Sequence, residues 1–308
     1  MTTAATTSSR RAGRAIFRGL LDFRTTPSAE PAAAPAHKPA ARGLTAAKVY
    51  AFSTVDYPGA AMSLVFDTNG ATSVGAFVFD PGNPASLNTA FTFKNGVYEI
   101  FAVPNSTTTI ATGINAAGLI VGVFEDLGGV ERGFVNNGGT FTPVEFPSAT
   151  STQVIDVNDA GQMVGDFVDA ASVQHGFVTS GGVFTLINFP GATATAAAGI
   201  NSAGDIVGVT SDATMSRGFL LKGGVFTPIA FPLATSTAAF GINDAGEIAG
   251  FYTDTAGNTH GFIFSSGAFS TVDVGGARGT QLTRIKNNGT ITGVLTDALS
   301  EQHGIIGQ

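Results

Sequence analysis

Five aspartates recur along this chain, each with a basic residue a few positions on. Asp126, Asp169, Asp212, Asp254 and Asp297 are followed five or six residues later by Arg132, His175, Arg217, His260 and His303. One Asp–His pair is the arrangement of a general base, whereas five copies in register read as hairpin braces, exposed ion pairs worth about 0–1 kcal/mol each. The alternative is a ring of basic side chains on one face, suited to an anionic sugar or carboxylate and strengthened through its histidines as pH falls.

What recurs in every unit is architecture, so binding chemistry is expected where a unit departs from the pattern. Asp156 and Arg284 stand where other units carry Gly113, Gly199 and Gly241, Asp166 replaces a position held by Val123, Val209 and Val294, and Lys286 follows Arg284 by two residues. These four are the candidate ligand-binding residues, placed by the pattern near a wet central channel. Asp156, Asp166 and Glu145 are also the carboxylates that glycoside chemistry would need to bring together. Asp156 with neighbouring Asn or Asp residues could instead hold a metal for hydrolysis.

Asn115, Asn158, Asn201 and Asn243 share one repeat position, where they are expected to cap their own turns. Alignment puts Asp67 at that position in the first unit and Lys286 in the last. No Gly-x-Ser-x-Gly, His-Glu-x-x-His or phosphate-loop motif occurs. The motifs call for no cofactor; a structural or catalytic divalent cation stays open.

The elements carrying these residues are repeats. Gly118, Gly161, Gly204, Gly246 and Gly289 are spaced by 43, 43, 42 and 43 residues, as are Gly122, Gly165, Gly208, Gly250 and Gly293. Such a period marks stacked supersecondary units. Each unit runs from an aromatic-Pro pair (Phe146-Pro147, Phe189-Pro190, Phe231-Pro232) through a β-branched stretch to Asn-x-Ala-Gly, then an Ile-Val-Gly strand, a Gly-Phe strand, and a Gly-Gly turn into an alternating Phe-Thr strand. Four short strands per unit without a helical period predict an all-β, six-bladed β-propeller of four-stranded antiparallel blades. The last unit lacks its fourth strand, and residues 51–56 (Ala-Phe-Ser-Thr-Val-Asp) match 268–273 almost letter for letter. Residues 49–57 are therefore expected to complete the last blade and close the ring.

Gly241-Ile242-Asn243-Asp244-Ala245-Gly246-Glu247-Ile248, followed by His260-Gly261-Phe262, resembles the HAF family of bacterial extracellular repeats over about residues 49–308. The resemblance implies an extracellular or cell-surface location and carries no activity with it.

Residues 1–48 differ in kind. They hold eight Lys and Arg against Asp22 and Glu30, while the rest of the chain holds seven basic and twenty acidic residues. An acidic body argues against nucleic-acid binding by the repeats. Residues 10–24 form a short amphipathic pattern for a membrane surface or a docking partner, and 25–47 read as a Pro/Ala-rich linker. The chain has no Cys and no Trp but 25 Phe, which removes disulfides and the largest sugar-stacking faces. The expected function is a non-catalytic scaffold binding a protein or carbohydrate at the channel face. The alternatives are a channel-mouth enzyme, either a metal-assisted hydrolase or a carbohydrate-active one, and a multivalent lectin.

Overall fold

The computed structural model describes residues 48–80 and 88–308. The segment 10–24, the linker and most of the insertion after Asp80 lie outside the described residues, which hold twenty-four strands and no helix. The first, β1, is Phe52–Val55. It is followed by β2 (Met62–Thr68), β3 (Ser73–Val78), β4 (Thr89–Lys94) and β5 (Val97–Phe101), then β6 (Ser106–Ile114), β7 (Ile120–Asp126), β8 (Glu131–Asn137) and β9 (Thr140–Val144). The next two units are β10 (Ser151–Val157), β11 (Met163–Val168), β12 (Gln174–Ser180), β13 (Val183–Ile187) and β14 (Ala194–Ile200), β15 (Ile206–Ser211), β16 (Ser216–Lys222), β17 (Val225–Ile229). The last strands are β18 (Ser236–Ile242), β19 (Ile248–Thr253), β20 (Thr259–Ser265), β21 (Ala268–Val272), β22 (Gly279–Ile285), β23 (Ile291–Thr296) and β24 (Gln302–Gly307).

Strands β6 to β21 form four separate four-stranded antiparallel sheets in chain order. The remaining eight strands share one sheet, in which β22-β23-β24 and β2-β3-β4-β5 are joined through a single parallel residue pair, Met62 with Gln302. Strand β1 pairs antiparallel with β24, Phe52 opposite Gly307 and Val55 opposite Gly304. The segment matching the outer strand of other units thus does pair with the last unit.

Two glycines in each unit from β6 onward explain why hairpins become stacked sheets. A Cβ on Gly122 would lie 2.7 Å from the ring of Phe134 and 2.0 Å from the Ile110 carbonyl, so the buried Phe of the Gly-Phe pair needs this glycine to lie flat on its own sheet. Gly133, the other half of that pair, faces outward: its Cβ would meet Val154 of the following sheet at 2.6 Å. One glycine admits the ring and the other admits the neighbour.

Every first strand carries a β-bulge at the same place, between Val154 and Asp156 in β10 and between Leu282 and Arg284 in β22. A bulge re-aims the side chains beside it. Leu64, Phe66, Ile110, Ile155, Ala198 and Phe240 consequently meet in one buried apolar cluster drawn from β2, β6, β10, β14 and β18. The axis is filled with hydrocarbon, which corrects the expected wet channel. Apolar residues of the first strands gain more by burial against one another than by lining water.

Candidate functional site

Polar groups gather where the first strands finish, at one end of that apolar plug. A cavity of about 310 Å³ lies where β2, β6, β10, β14, β18 and β22 end, lined by the turns that follow them. The turn asparagines do more than cap. Asn115 Oδ1 accepts from Leu119 N at 3.0 Å, as expected, while its Nδ2 donates to Asn158 O of the next sheet at 3.3 Å. The same sideways bond runs from Asn69 to Asn115, Asn158 to Asn201, Asn201 to Asn243 and Asn243 to Lys286. Asn69, not Asp67, therefore holds the asparagine position of the first unit. The first unit's turn is one residue shorter, closing from Asn69 N to Thr72 O where the next closes from Asn115 N to Leu119 O, so Asp67 is the counterpart of Asp156.

These two aspartates tie sheets together at the cavity floor. Asp156 accepts from its neighbour Val157 N at 2.9 Å and from Ile200 N of the next sheet at 3.0 Å. Asp67 does the same with Thr68 N at 2.7 Å and Ile114 N at 2.9 Å. Each buried carboxylate has its cation. Lys286 Nζ lies 2.5 Å from Asp67 Oδ1, and Arg284 Nε lies 3.4 Å from Asp156 Oδ1, off the line of a hydrogen bond. Burial holds the Asp156 carboxyl above its ordinary value against the opposing pull of the Arg284 charge.

Arg284 reaches furthest. Its Nη1 donates to Thr283 O at 2.8 Å and Phe240 O at 3.2 Å, and its Nη2 to Ile155 O at 2.6 Å and Thr112 O at 3.2 Å. One guanidinium fork thereby satisfies carbonyls on β22, β18, β10 and β6, a use of the five-donor geometry that lysine does not offer.

Asp156, Arg284 and Lys286 come together at this cavity, and Asp166 does not. Asp166 sits on β11 opposite Gln153 and is buried away from the cavity lining, its Oδ2 accepting from Gln174 Nε2 at 2.8 Å. Glu145 is on the periphery, 2.6 Å from Arg132 Nη1. The three carboxylates proposed for glycoside chemistry thus stand at three different places, because the strand pleat and the bulge aim them apart.

All five repeated pairs form: Arg132 with Asp126 at 2.9 Å, His175 with Asp169 at 3.2 Å, Arg217 with Asp212 at 2.5 Å, His260 with Asp254 at 3.4 Å and His303 with Asp297 at 3.7 Å. Each aspartate also closes its own loop. Asp254 accepts from Asn258 Nδ2 at 3.0 Å and from Asn258 N and Ala256 N, and these bonds hold its carboxyl down at about 2. Arg132, His175, His260 and His303 have a second partner that the spacing did not reveal. His260 Nδ1 is 2.8 Å from Asp273, and His303 Nδ1 is 3.1 Å from Asp56. Partial burial lowers the affinity of His260 for its proton, but Asp273 and Asp254 outweigh that and hold its pKa above the ordinary value. The braced bases stand at the start of the third strands, beside the loops that their aspartates close and apart from the cavity. Among the described residues, Asp297, Glu301 and His303 bring three ligand atoms within 4.8 Å of one another, again outside the cavity.

No protein-family model and no curated protein matches the sequence. Solved structures do match. TolB from Acinetobacter baumannii superposes with a TM-score of 0.57 at 10% identity, over 77% of this chain and 64% of TolB. A triple arginine-to-alanine mutant of AofleA from Arthrobotrys oligospora gives 0.51 at 10% identity, over 83% and 86%. The β-propeller domain of the trilobed protease from Pyrococcus furiosus gives 0.49 at 10% identity, over 81% and 94%. The chain spans less than two thirds of TolB, and the likeness is one of fold: stacked four-stranded antiparallel sheets around a common axis make this protein a β-propeller.

Proposed function

We propose that the chain is a six-bladed propeller serving as a non-catalytic binding module, with a small polar ligand held in the axial cavity. The observation that carries this reading is the cavity itself. Equivalent turns from six first strands converge on about 310 Å³, a volume in the range of small-molecule sites. Its floor holds two ion pairs, and the apolar plug beneath prevents passage along the axis. Lys286 is the more accessible of the two cations, its side chain 29% exposed against 5% for Arg284. A ligand with hydroxyl or carboxylate groups suits that floor and the amide-rich rim. The resemblance to HAF repeats, and the extracellular setting it implies, belong to the same reading.

The closed ring of six is supported by contacts between the last unit and the first. A Cβ on Gly304 would meet Val65 Cγ2 at 2.6 Å, as one on Gly133 would meet Val154. Thr283 and Thr292 donate to Val65 O and Phe66 O at 3.3 and 3.1 Å. On this reading the eight-stranded sheet is two blades joined at one residue pair, with β1 the outer strand of the last. Because the chain has no cysteine, Ser53→Cys with Ile306→Cys tests the pairing directly, since these residues face each other in register. Spontaneous oxidation with a gain in melting temperature is expected; a pair that stays reduced in air rules the pairing out.

Ala116 is exposed and lines the cavity mouth, so Ala116→Trp blocks entry while changing stability by no more than about 0.5 kcal/mol. Calorimetric titration with neutral hexoses, uronates and α-amino acids should find a binder for the native protein and none for the variant. Equal affinities in the two proteins would remove the cavity as the site.

A further inference from the structure

In four units the aromatic of the aromatic-Pro link is an internal ligand. Phe146 stacks on Phe167 at 3.6 Å and 5°, meets Phe184 edge-on at 5.2 Å and lies tilted against Phe177 at 6.1 Å. Phe231 repeats this on Tyr252 at 3.6 Å, and Tyr57 on Phe77 at 3.9 Å. Phe189 keeps the tilted contact with Phe219 and the edge contact with Phe226.

The unit β6–β9 keeps every wall of this cage and lacks its occupant. Phe124, Phe134 and Phe141 stand where Phe167, Phe177 and Phe184 stand, but the link residue is Val103. The backbone has not moved to compensate. Val103 N donates to Thr109 Oγ1 at 3.1 Å, just as Phe146 N donates to Thr152 Oγ1 at 3.0 Å. The result is a pocket of about 370 Å³ lined by Val103, Pro104, Phe124, Phe134, Phe141 and Pro143. The link sequence itself is inverted: this unit reads Phe101-Ala102-Val103 where the next reads Val144-Glu145-Phe146. Phe101 approaches Phe134 and Phe141 at 6.5 and 6.1 Å without filling the space above Phe124.

In the last unit, where Val274 holds the link position, the facing residues have shrunk with it to Leu295 and Ile305, and Tyr50 packs alongside. Loss of the ring is matched there and unmatched here.

We propose that this pocket is a binding site for a small, uncharged, monocyclic aromatic molecule, whose ring takes the place that Phe146 and Phe231 take in their own units. The chemistry of recognition is stacking on Phe124 with edge contacts from Phe134 and Phe141, and none of the lining side chains is charged. The site is independent of the axial cavity, which shares no residue with it.

The probe is p-cresol, with cyclohexanol as an apolar control that cannot stack, titrated by calorimetry into the full chain. The decisive variant is Phe101→Val with Val103→Phe, which rewrites the link as the other units have it. The native protein should bind p-cresol, prefer it to cyclohexanol, and lose at least about tenfold in affinity in the exchanged variant, whose melting temperature should hold or rise. If the exchange does not fold, Val103→Leu, which fills part of the space, should weaken binding in the same direction. Absence of p-cresol binding by the native protein, or equal affinity in native and filled proteins, overturns the site. Uptake of an acetylated Phe-Pro amide with no uptake of p-cresol overturns the small-molecule assignment in favour of a peptide.

Discussion

Replacing Arg284 with methionine should lower unfolding stability by about 3–5 kcal/mol, a large share of what a domain possesses. The fork is buried with its aspartate and is bonded to carbonyls of four strands. Removing it leaves Asp156 buried without its cation and takes away the donors that hold β6, β10, β18 and β22 at the axis. Glycine at both positions, which the repeat pattern invites, would cost at least as much. The double variant Asp156→Asn with Arg284→Met should be less damaged than the sum of its single variants, because the neutral amide no longer needs a counter-charge. Urea unfolding of the four proteins checks this. A loss under about 1 kcal/mol for Arg284→Met would mean that the fork is a surface group reaching inward.

The repeats were legible in the sequence because they rest on local rules. A glycine that must adopt positive φ, as Gly118 does at +84°, announces its turn whatever surrounds it. The Gly-Phe pair likewise announced a strand. The partners of the pattern-breaking residues were not legible. Thr112 and Ile155, which accept from Arg284, lie 172 and 129 residues away in the chain, and no spacing rule connects them.

The misplacement of Asp67 has a similar origin. The first turn is one residue shorter than the second, so Gly70 falls where the turn glycine is expected, and only the strand pairing reveals the shift. The bulge turned an expected channel into a core, by aiming Ile155 and its counterparts at the axis. Two signals were present in the sequence and went unread. The second acidic partner of His260 stands thirteen residues on, at Asp273, with Glu145 in the corresponding place. The exchange of Phe and Val at 101 and 103 was equally visible, but it acquires meaning only when the other units show what fills the space.

Asp166→Asn should stabilise the protein, and by an amount that depends on pH. Burial raises the carboxyl of Asp166 to about 7, against a pull from Gln174 and with a further push from Glu131. Its Oδ1 has no partner and its side chain is shut off from water. An acid whose folded pKa is raised keeps its proton in the folded chain after the unfolded chain has released it. Stability is therefore highest below the ordinary value of 3.8 and falls as pH rises towards 7, after which the loss is constant. Asparagine keeps the acceptor that Gln174 uses and has no charge to desolvate. The gain should be near zero below pH 4 and reach about 2–4 kcal/mol at pH 8, since each tenfold difference in proton affinity between the folded and unfolded chains is worth about 1.4 kcal/mol. Denaturant unfolding of both proteins at pH 4, 6 and 8 reads this difference. A gain that is equal at all three values would mean that Asp166 is already neutral throughout, or ionised without cost, and that its burial has no electrostatic consequence.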